Sequence, residues 1–254
     1  MKTFRYALLS LLLMLLAACA QQDDAVPVPT SQPAATEAAD TAEAPAPEAG
    51  VHYVEIEDAQ PYLPLDGQVE VVEVFGYTCP ACASFEPLVS AWKQRQPDAV
   101  RVTLLAAPFG GAWQSFAKAY YAAEALDLAE ATHKPMFDAI HRERSLQGAS
   151  TEAIADFYAS QGADAREFAQ TMESFAVSGQ LRRAEGFVQR AGVDSTPTMV
   201  VNGKYRVVPG QDFQEVLRIV DHLVEMERSA GEAGGPAVEE PALEEAAAEE
   251  PAAV

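Results

Sequence analysis

Apart from a short run near the N-terminus, large apolar side chains are concentrated between Val51 and Arg228 and are sparse on either side. Within that interval the hydrophobic period switches between two and about 3.6 residues, which separates strands from helices. His52-Tyr53-Val54-Glu55-Ile56 alternates and predicts a short strand. Val69–Phe75 is a β-branched apolar run of the kind carried by a strand buried on both faces. A helix is expected over Pro80–Gln94, opened by a proline in its first turn and kinked at Pro87, where an N–H is missing. Val100–Ala107 reads as a third strand. A long helical stretch, about 112–191, follows, with Gly148, Gly162 and Gly179 as its expected breaks. Thr198–Val201 and Tyr205–Val208 are short strands joined by Asn202-Gly203, a strong hairpin-turn signal. Asp212–Arg228 closes the interval as an amphipathic helix. The order is thus β-β-α-β, a block of helices, then β-β-α, which is an α/β arrangement in one domain of about 51–228.

The flanks read differently. Lys2 and Arg5 precede a short apolar run, Ala7–Leu16, and then Leu16-Ala17-Ala18-Cys19. About ten apolar residues are too few for a permanent membrane span, so residues 1–18 are expected to be a signal peptide. The run resembles the lipobox of bacterial lipoproteins, which implies cleavage before Cys19 and a diacylglycerol thioether on its sulfur. The blander reading is an ordinary signal cut near Ala20, with Cys19 incidental. Two acyl chains, at roughly 0.8 kcal/mol per buried CH₂, would make a stable membrane anchor. Residues 20–50 hold Pro, Ala, Thr and acidic residues with no aromatic, a composition that cannot offset its ordering entropy and predicts a disordered tether. Residues 229–254 are Gly, Ala, Pro and Glu and read as a disordered acidic tail.

Charge narrows the class. The net charge of −21 lacks the basic footprint that nucleic acid requires. Much of the acidity lies in the two flanks, where it bears on solubility rather than fold.

The chain has three cysteines. If Cys19 is lipidated, Cys79 and Cys82 are left as the one pair able to form a disulfide. Export places them in an oxidising compartment. Cys79-Pro80-Ala81-Cys82 follows a strand directly and opens a helix. The first cysteine then meets unsatisfied N–H groups and the positive helix end, which favour a thiolate, the attacking species in disulfide exchange. The second, one turn in, is placed to resolve a mixed disulfide. Half of a zinc site and an inert disulfide are the alternatives. Zinc wants four ligands, and there is no second cysteine pair; His52, His133, His141 and His222 have no ligand spacing and are expected to be surface or capping histidines. No metal or other cofactor is expected. Glu73 stands between Val72 and Val74 in the apolar strand. It is either a buried acid with a raised pKa or a strand-edge glutamate facing water or a lysine. Phe75, Tyr77, Phe109, Trp113 and Phe116 either line a peptide groove or belong to the core.

Phe75-Gly76-Tyr77-Thr78-Cys79-Pro80-Ala81-Cys82-Ala83-Ser84-Phe85-Glu86-Pro87 resembles the active-site segment of DsbA-like disulfide oxidoreductases, and Val193-Asp194-Ser195-Thr196-Pro197-Thr198-Met199-Val200-Val201-Asn202-Gly203-Lys204-Tyr205 resembles that family's second signature. The helical block between them, with Phe137-Asp138-Ala139-Ile140-His141, fits the family's helical subdomain. The likeness covers about residues 52–226. It implies a thioredoxin-like fold with the helical subdomain inserted between the third strand and the strand that follows Pro197. It also implies a cis Thr196–Pro197 bond beside the cysteines, where an extended substrate can pair with the Thr196 backbone; a trans proline starting a strand is the alternative. Glu73 matches the family's buried acid, which serves as proton acceptor for the resolving thiol. The activity implied is oxidation of cysteine pairs in reduced exported proteins. A quinone-linked membrane partner would reoxidise the enzyme, a lipid anchor would hold it at the periplasm-facing side of a bacterial envelope membrane, and a monomer is expected. A reductase or isomerase of the same fold, or a non-catalytic lipoprotein that holds partners or metal, are the competing functions. The chain departs from the strong oxidants of the family at Ala81, where they carry histidine, and a weaker oxidant is expected.

Overall fold

The computed structural model describes residues 45–148 and 150–233. The signal peptide, Cys19, the tether up to residue 44 and the tail from residue 234 lie outside the described residues.

In chain order the elements are β1 (Tyr53–Glu55), β2 (Val69–Phe75), α1 (Pro80–Lys93), β3 (Val100–Ala106), α2 (Ala112–Ala125), α3 (Ala129–Phe137), a π-helical turn (Asp138–Arg142), α4 (Thr151–Ser160), α5 (Ala165–Met172), α6 (Phe175–Arg190), β4 (Thr198–Val201), β5 (Tyr205–Val207) and α7 (Phe213–Ala233). The sheet order is β1-β5-β4-β2-β3. β2 runs parallel to β3 and antiparallel to β4, with Glu73 opposite Leu104 on one side and Met199 on the other. Every residue of β2 is buried, as expected of a central strand covered on both faces.

The two faces have separate cores. On one, Val69 and Val71 pack with Phe85, Val89 and Trp92 of α1 and with Leu217, Val220, Leu223 and Val224 of α7. On the other, Val72, Val74 and Val200 meet the helices of the insertion, including Phe116, Tyr120, Tyr158, Phe168 and Phe187. Pro87 sits inside α1 without ending it. The hairpin between β4 and β5 turns through Asn202 and Gly203, both at positive φ (50° and 62°), as the shortest hairpin turns require. A Cβ on Gly203 would also lie 1.9 Å from the Gln60 carbonyl oxygen.

Three expectations are corrected. Gly148 and Gly162 do sit in breaks of the helical block, at positive φ, but Gly179 lies inside α6. The break near it falls at Ser174, whose hydroxyl caps α6 by accepting from Val177 N at 3.2 Å; a side-chain cap supplies what a glycine cannot. Residues 45–50 are packed on the domain: Pro47 is buried, Gly50 N donates to Tyr53 O at 2.7 Å and Arg218 Nη1 donates to Pro45 O at 3.1 Å. Composition alone hid this, because these contacts are made by backbone groups and one proline. α7 likewise runs on to Ala233, past the boundary expected at Arg228.

Candidate functional site

β2 ends at Phe75, and Gly76-Tyr77-Thr78 carries the chain to the start of α1. Cys79 is the N-cap of that helix, in extended backbone (φ −86°, ψ 115°). Its Sγ accepts from Cys82 N at 3.3 Å and its S–H donates to the Thr196 carbonyl at 3.4 Å. The two thiols are not bonded to each other in this structure. Both are enclosed, Cys82 completely and Cys79 with 6% of its surface exposed, so the outer sulfur is less open than the sequence suggests.

The pair is electrostatically divided. The Cys82 thiol, Thr196 and the backbone N–H groups of Cys82 and Ala81 stabilise a Cys79 thiolate and bring its pKa down to about 5, against the opposing effect of burial. Burial, then the neighbouring Cys79, pushes Cys82 far up. One sulfur is poised as a thiolate near neutral pH while the other keeps its proton. That division suits stepwise thiol–disulfide exchange.

Thr196, joined to Pro197 by a cis bond, lies 117 residues on from Cys79, whose thiol meets its carbonyl. Thr196 and Pro197 are both half-buried at the start of β4. They are therefore beside the sulfurs in space, as the resemblance implies.

Glu73 is buried on β2, with 2% of its surface exposed, so the strand-edge alternative falls away. Burial, with the Glu86 carboxylate adding to it, raises its pKa to about 8. Its Oε2 has no hydrogen-bond partner among the described residues. It lines a cavity of about 510 Å³ together with Glu86, Lys93, Arg101, Glu124 and His133. Among the described residues no hydrogen bond joins Glu73 to Cys82.

Of the aromatic residues, Phe75, Tyr77 and Phe116 are core. Trp113 covers Gly76 so closely that a Cβ there would lie 2.0 Å from the ring. It pairs with the exposed Phe109, with ring centroids 5.4 Å apart. These two form an apolar platform next to the Cys79 loop.

Two histidines are not where the sequence reading puts them. His52 does act as a cap, accepting from Glu48 N at 3.0 Å. His133, in contrast, is buried against Phe75 and pairs its Nδ1 with the Tyr77 hydroxyl at 3.0 Å. His141 is half-buried and its Nε2 donates to the Tyr77 carbonyl at 2.7 Å. The available signal was the stripe His133–Phe137–His141 at spacings of four, which places all three on one side of a helix. Among the described residues no cluster of three or more His, Cys, Asp or Glu side chains is arranged to hold a metal ion, and no helix is long and apolar enough to cross a membrane.

Residues 70–220 match the family model described as "DSBA-like thioredoxin domain". The thiol:disulfide interchange protein DsbA of Pseudomonas aeruginosa is 39% identical over 184 residues, covering 72% of this chain and 86% of that protein. The protein of the same name from Pseudomonas syringae is 33% identical over 188 residues, covering 73% and 87%. Among solved structures, the oxidoreductase DsbA of Xylella fastidiosa superposes with a TM-score of 0.70 at 44% identity, over 72% of this chain and 98% of that one. The P. aeruginosa DsbA structure gives 0.69 at 38% identity, over 73% and 97%. The chain belongs to the DsbA-like thioredoxin-domain family and is a thiol–disulfide oxidoreductase.

Proposed function

We propose that this oxidoreductase works as an oxidase of cysteine pairs in exported proteins, with Cys79 and Cys82 as its redox pair. The observation that carries this reading is the N-cap position of Cys79, where the Cys82 thiol, then Thr196 and the backbone N–H groups of Cys82 and Ala81, stabilise its thiolate. A stabilised thiolate favours the reduced enzyme, and a favoured reduced form makes the disulfide an oxidant. A client thiolate attacks the Cys79 sulfur, forming a mixed disulfide and releasing the Cys82 thiolate. Glu73, buried with a raised pKa, is the acid assigned to manage the proton that Cys82 then takes up. Thr196 and Pro197 offer backbone for the client strand to pair with. A second client thiolate attacks its partner sulfur in the mixed disulfide. The client leaves with a new disulfide, and the enzyme leaves with two reduced cysteines.

Reoxidation by a quinone-linked membrane protein rests on family analogy. Cys19 is the proposed site of lipid attachment, with the domain on the periplasmic side of an envelope membrane; the short apolar run ending in Leu16-Ala17-Ala18-Cys19 supports it. The test is oxidation of a reduced, unfolded secreted protein. Cys79→Ser is expected to remove all turnover, and Cys82→Ser, which cannot form the disulfide either, is expected to do the same. Client oxidation retained by Cys79→Ser would overturn the mechanism.

A further inference from the structure

The segment that presents Cys79 to its helix is held mainly through one residue, Tyr77. Phe75 O, at the strand end, accepts from Ala107 N at 2.8 Å. Beyond it, Cys79 N donates back to Gly76 O at 3.0 Å, closing a turn around Tyr77 and Thr78. The Tyr77 ring is buried, edge-on to Phe75 (5.2 Å) and Phe137 (5.1 Å). Its hydroxyl meets His133 Nδ1, and its carbonyl accepts from His141 Nε2. The insertion thus grips this residue at both ends, from positions 133, 137 and 141.

An α-helix advances about 100° per residue, so each step of four residues overshoots a full turn by about 40°. Two such steps would put position 141 about 80° round from position 133, at the edge of the stripe rather than over it. The helix changes character here instead: Asp138–Arg142 is a π-helical turn, closed by Glu143 N donating to Asp138 O at 2.9 Å. Its wider winding turns His141 back over the stripe. The ring is also tilted against Phe137 at 6.2 Å. π turns inside helices are uncommon and cluster at functional sites.

Position matters at Cys79 because this chain has no imidazole between its cysteines. Ala81 is exposed and lends the thiolate nothing from its side chain. The thiolate depends on its distance to the Cys82 thiol, Thr196, Cys82 N and Ala81 N, and those distances depend on where the preceding loop holds Cys79.

We propose that His141 is a positioning residue for the redox pair: its Nε2–H, fixed by the π turn, holds the Tyr77 carbonyl and so sets Cys79 at the N-cap of α1. The insertion thereby sets the redox poise of a disulfide carried by the other half of the fold. This rests on the assignment of Cys79 as the exchanging thiol.

The experiment follows the thiolate absorbance of reduced full-length protein against pH, and the equilibrium of the pair with glutathione, in the wild type, His141→Ala and His141→Gln. Glutamine keeps an N–H donor of similar reach; alanine removes it. The expected result is a Cys79 midpoint raised about one unit in His141→Ala, with the equilibrium shifted about tenfold (~30 mV) toward a less oxidising pair. His141→Gln is expected to restore most of both. Unchanged values in His141→Ala would overturn the proposal. So would equal shifts in the two variants, since lost packing rather than the donor would then be the cause. Alkylation of the reduced wild type at Cys82 in preference to Cys79 would instead overturn the assignment of Cys79 itself. Melting curves of each variant separate loss of fold from loss of position.

Discussion

Glu70 and Glu73 stand three residues apart on the same strand, both buried, and their surroundings differ in almost every other respect. The Glu70 carboxylate accepts from Tyr62 N at 2.7 Å and Leu63 N at 3.1 Å, and it pairs with Arg101 at 3.2 Å. The Glu73 carboxylate faces a cavity, has one oxygen without a partner among the described residues and feels the adverse charge of Glu86. Burial is common to both, so burial does not define a functional acid. An acid saturated with donors is part of the scaffold; one deprived of them can take and release a proton in the working pH range. The same rule separates Glu73 from Cys79. Both are enclosed, yet the acid is pushed up to about 8 and the thiol down to about 5, because donors converge on the sulfur alone.

One substitution made at both glutamates gives the sharpest test. Glu70→Gln is expected to lower unfolding free energy by about 3 kcal/mol, since it removes a buried charge from donors that then lack it. Glu73→Gln is expected to raise it by about 2 kcal/mol at pH 7. A carboxyl whose folded pKa is raised favours the fold fully below its unfolded value of 4.5, and that contribution is lost as pH rises through about 8. Wild-type stability should therefore decline across that window, and the decline should flatten in Glu73→Gln. Denaturant melts at pH 4.5, 6, 7 and 8 read both effects. Destabilisation of equal size in the two variants would erase the distinction.

Ala81→His tests the other half of the comparison by giving the thiolate one more donor. The side chain at 81 is exposed, so an imidazole fits without repacking. A Cys79 pKa lowered by about one unit and a pair about tenfold more oxidising are expected. Thiolate absorbance and glutathione equilibrium measure these. The smallest effect is expected for Glu86→Gln. Because desolvation, ahead of Glu86, is the larger cause of the Glu73 shift, the Glu73 midpoint should fall by less than one unit. Carboxyl titration by infrared or carbon-13 NMR would show it.

The thioredoxin half was largely legible in the sequence, because its signals are local. A β-branched run, a Cys-x-x-Cys at a helix start and an Asn-Gly turn each report on neighbours within a few residues. The burial of Glu73 was also legible from Val72 and Val74 on either side. Its lack of a direct link to Cys82 was not, since that depends on which way β2 faces relative to α1. The roles of His133 and His141 were missed for the same reason. Their partner, Tyr77, is 56 and 64 residues away in the chain, and only the folded insertion brings them together. Pro45–Gly50 escaped notice because a segment of Pro, Ala and Glu has the composition of a tether whether or not its backbone is bonded to a domain.

The most direct test of the oxidase reading is the equilibrium reduction potential of the Cys79–Cys82 pair in the full-length protein, titrated against glutathione. A potential well above that of thioredoxin, about −270 mV, is predicted, since a thiolate at the N-cap of α1 favours the reduced enzyme. A potential at or below that value would contradict the account and make the same chemistry that of a reductant.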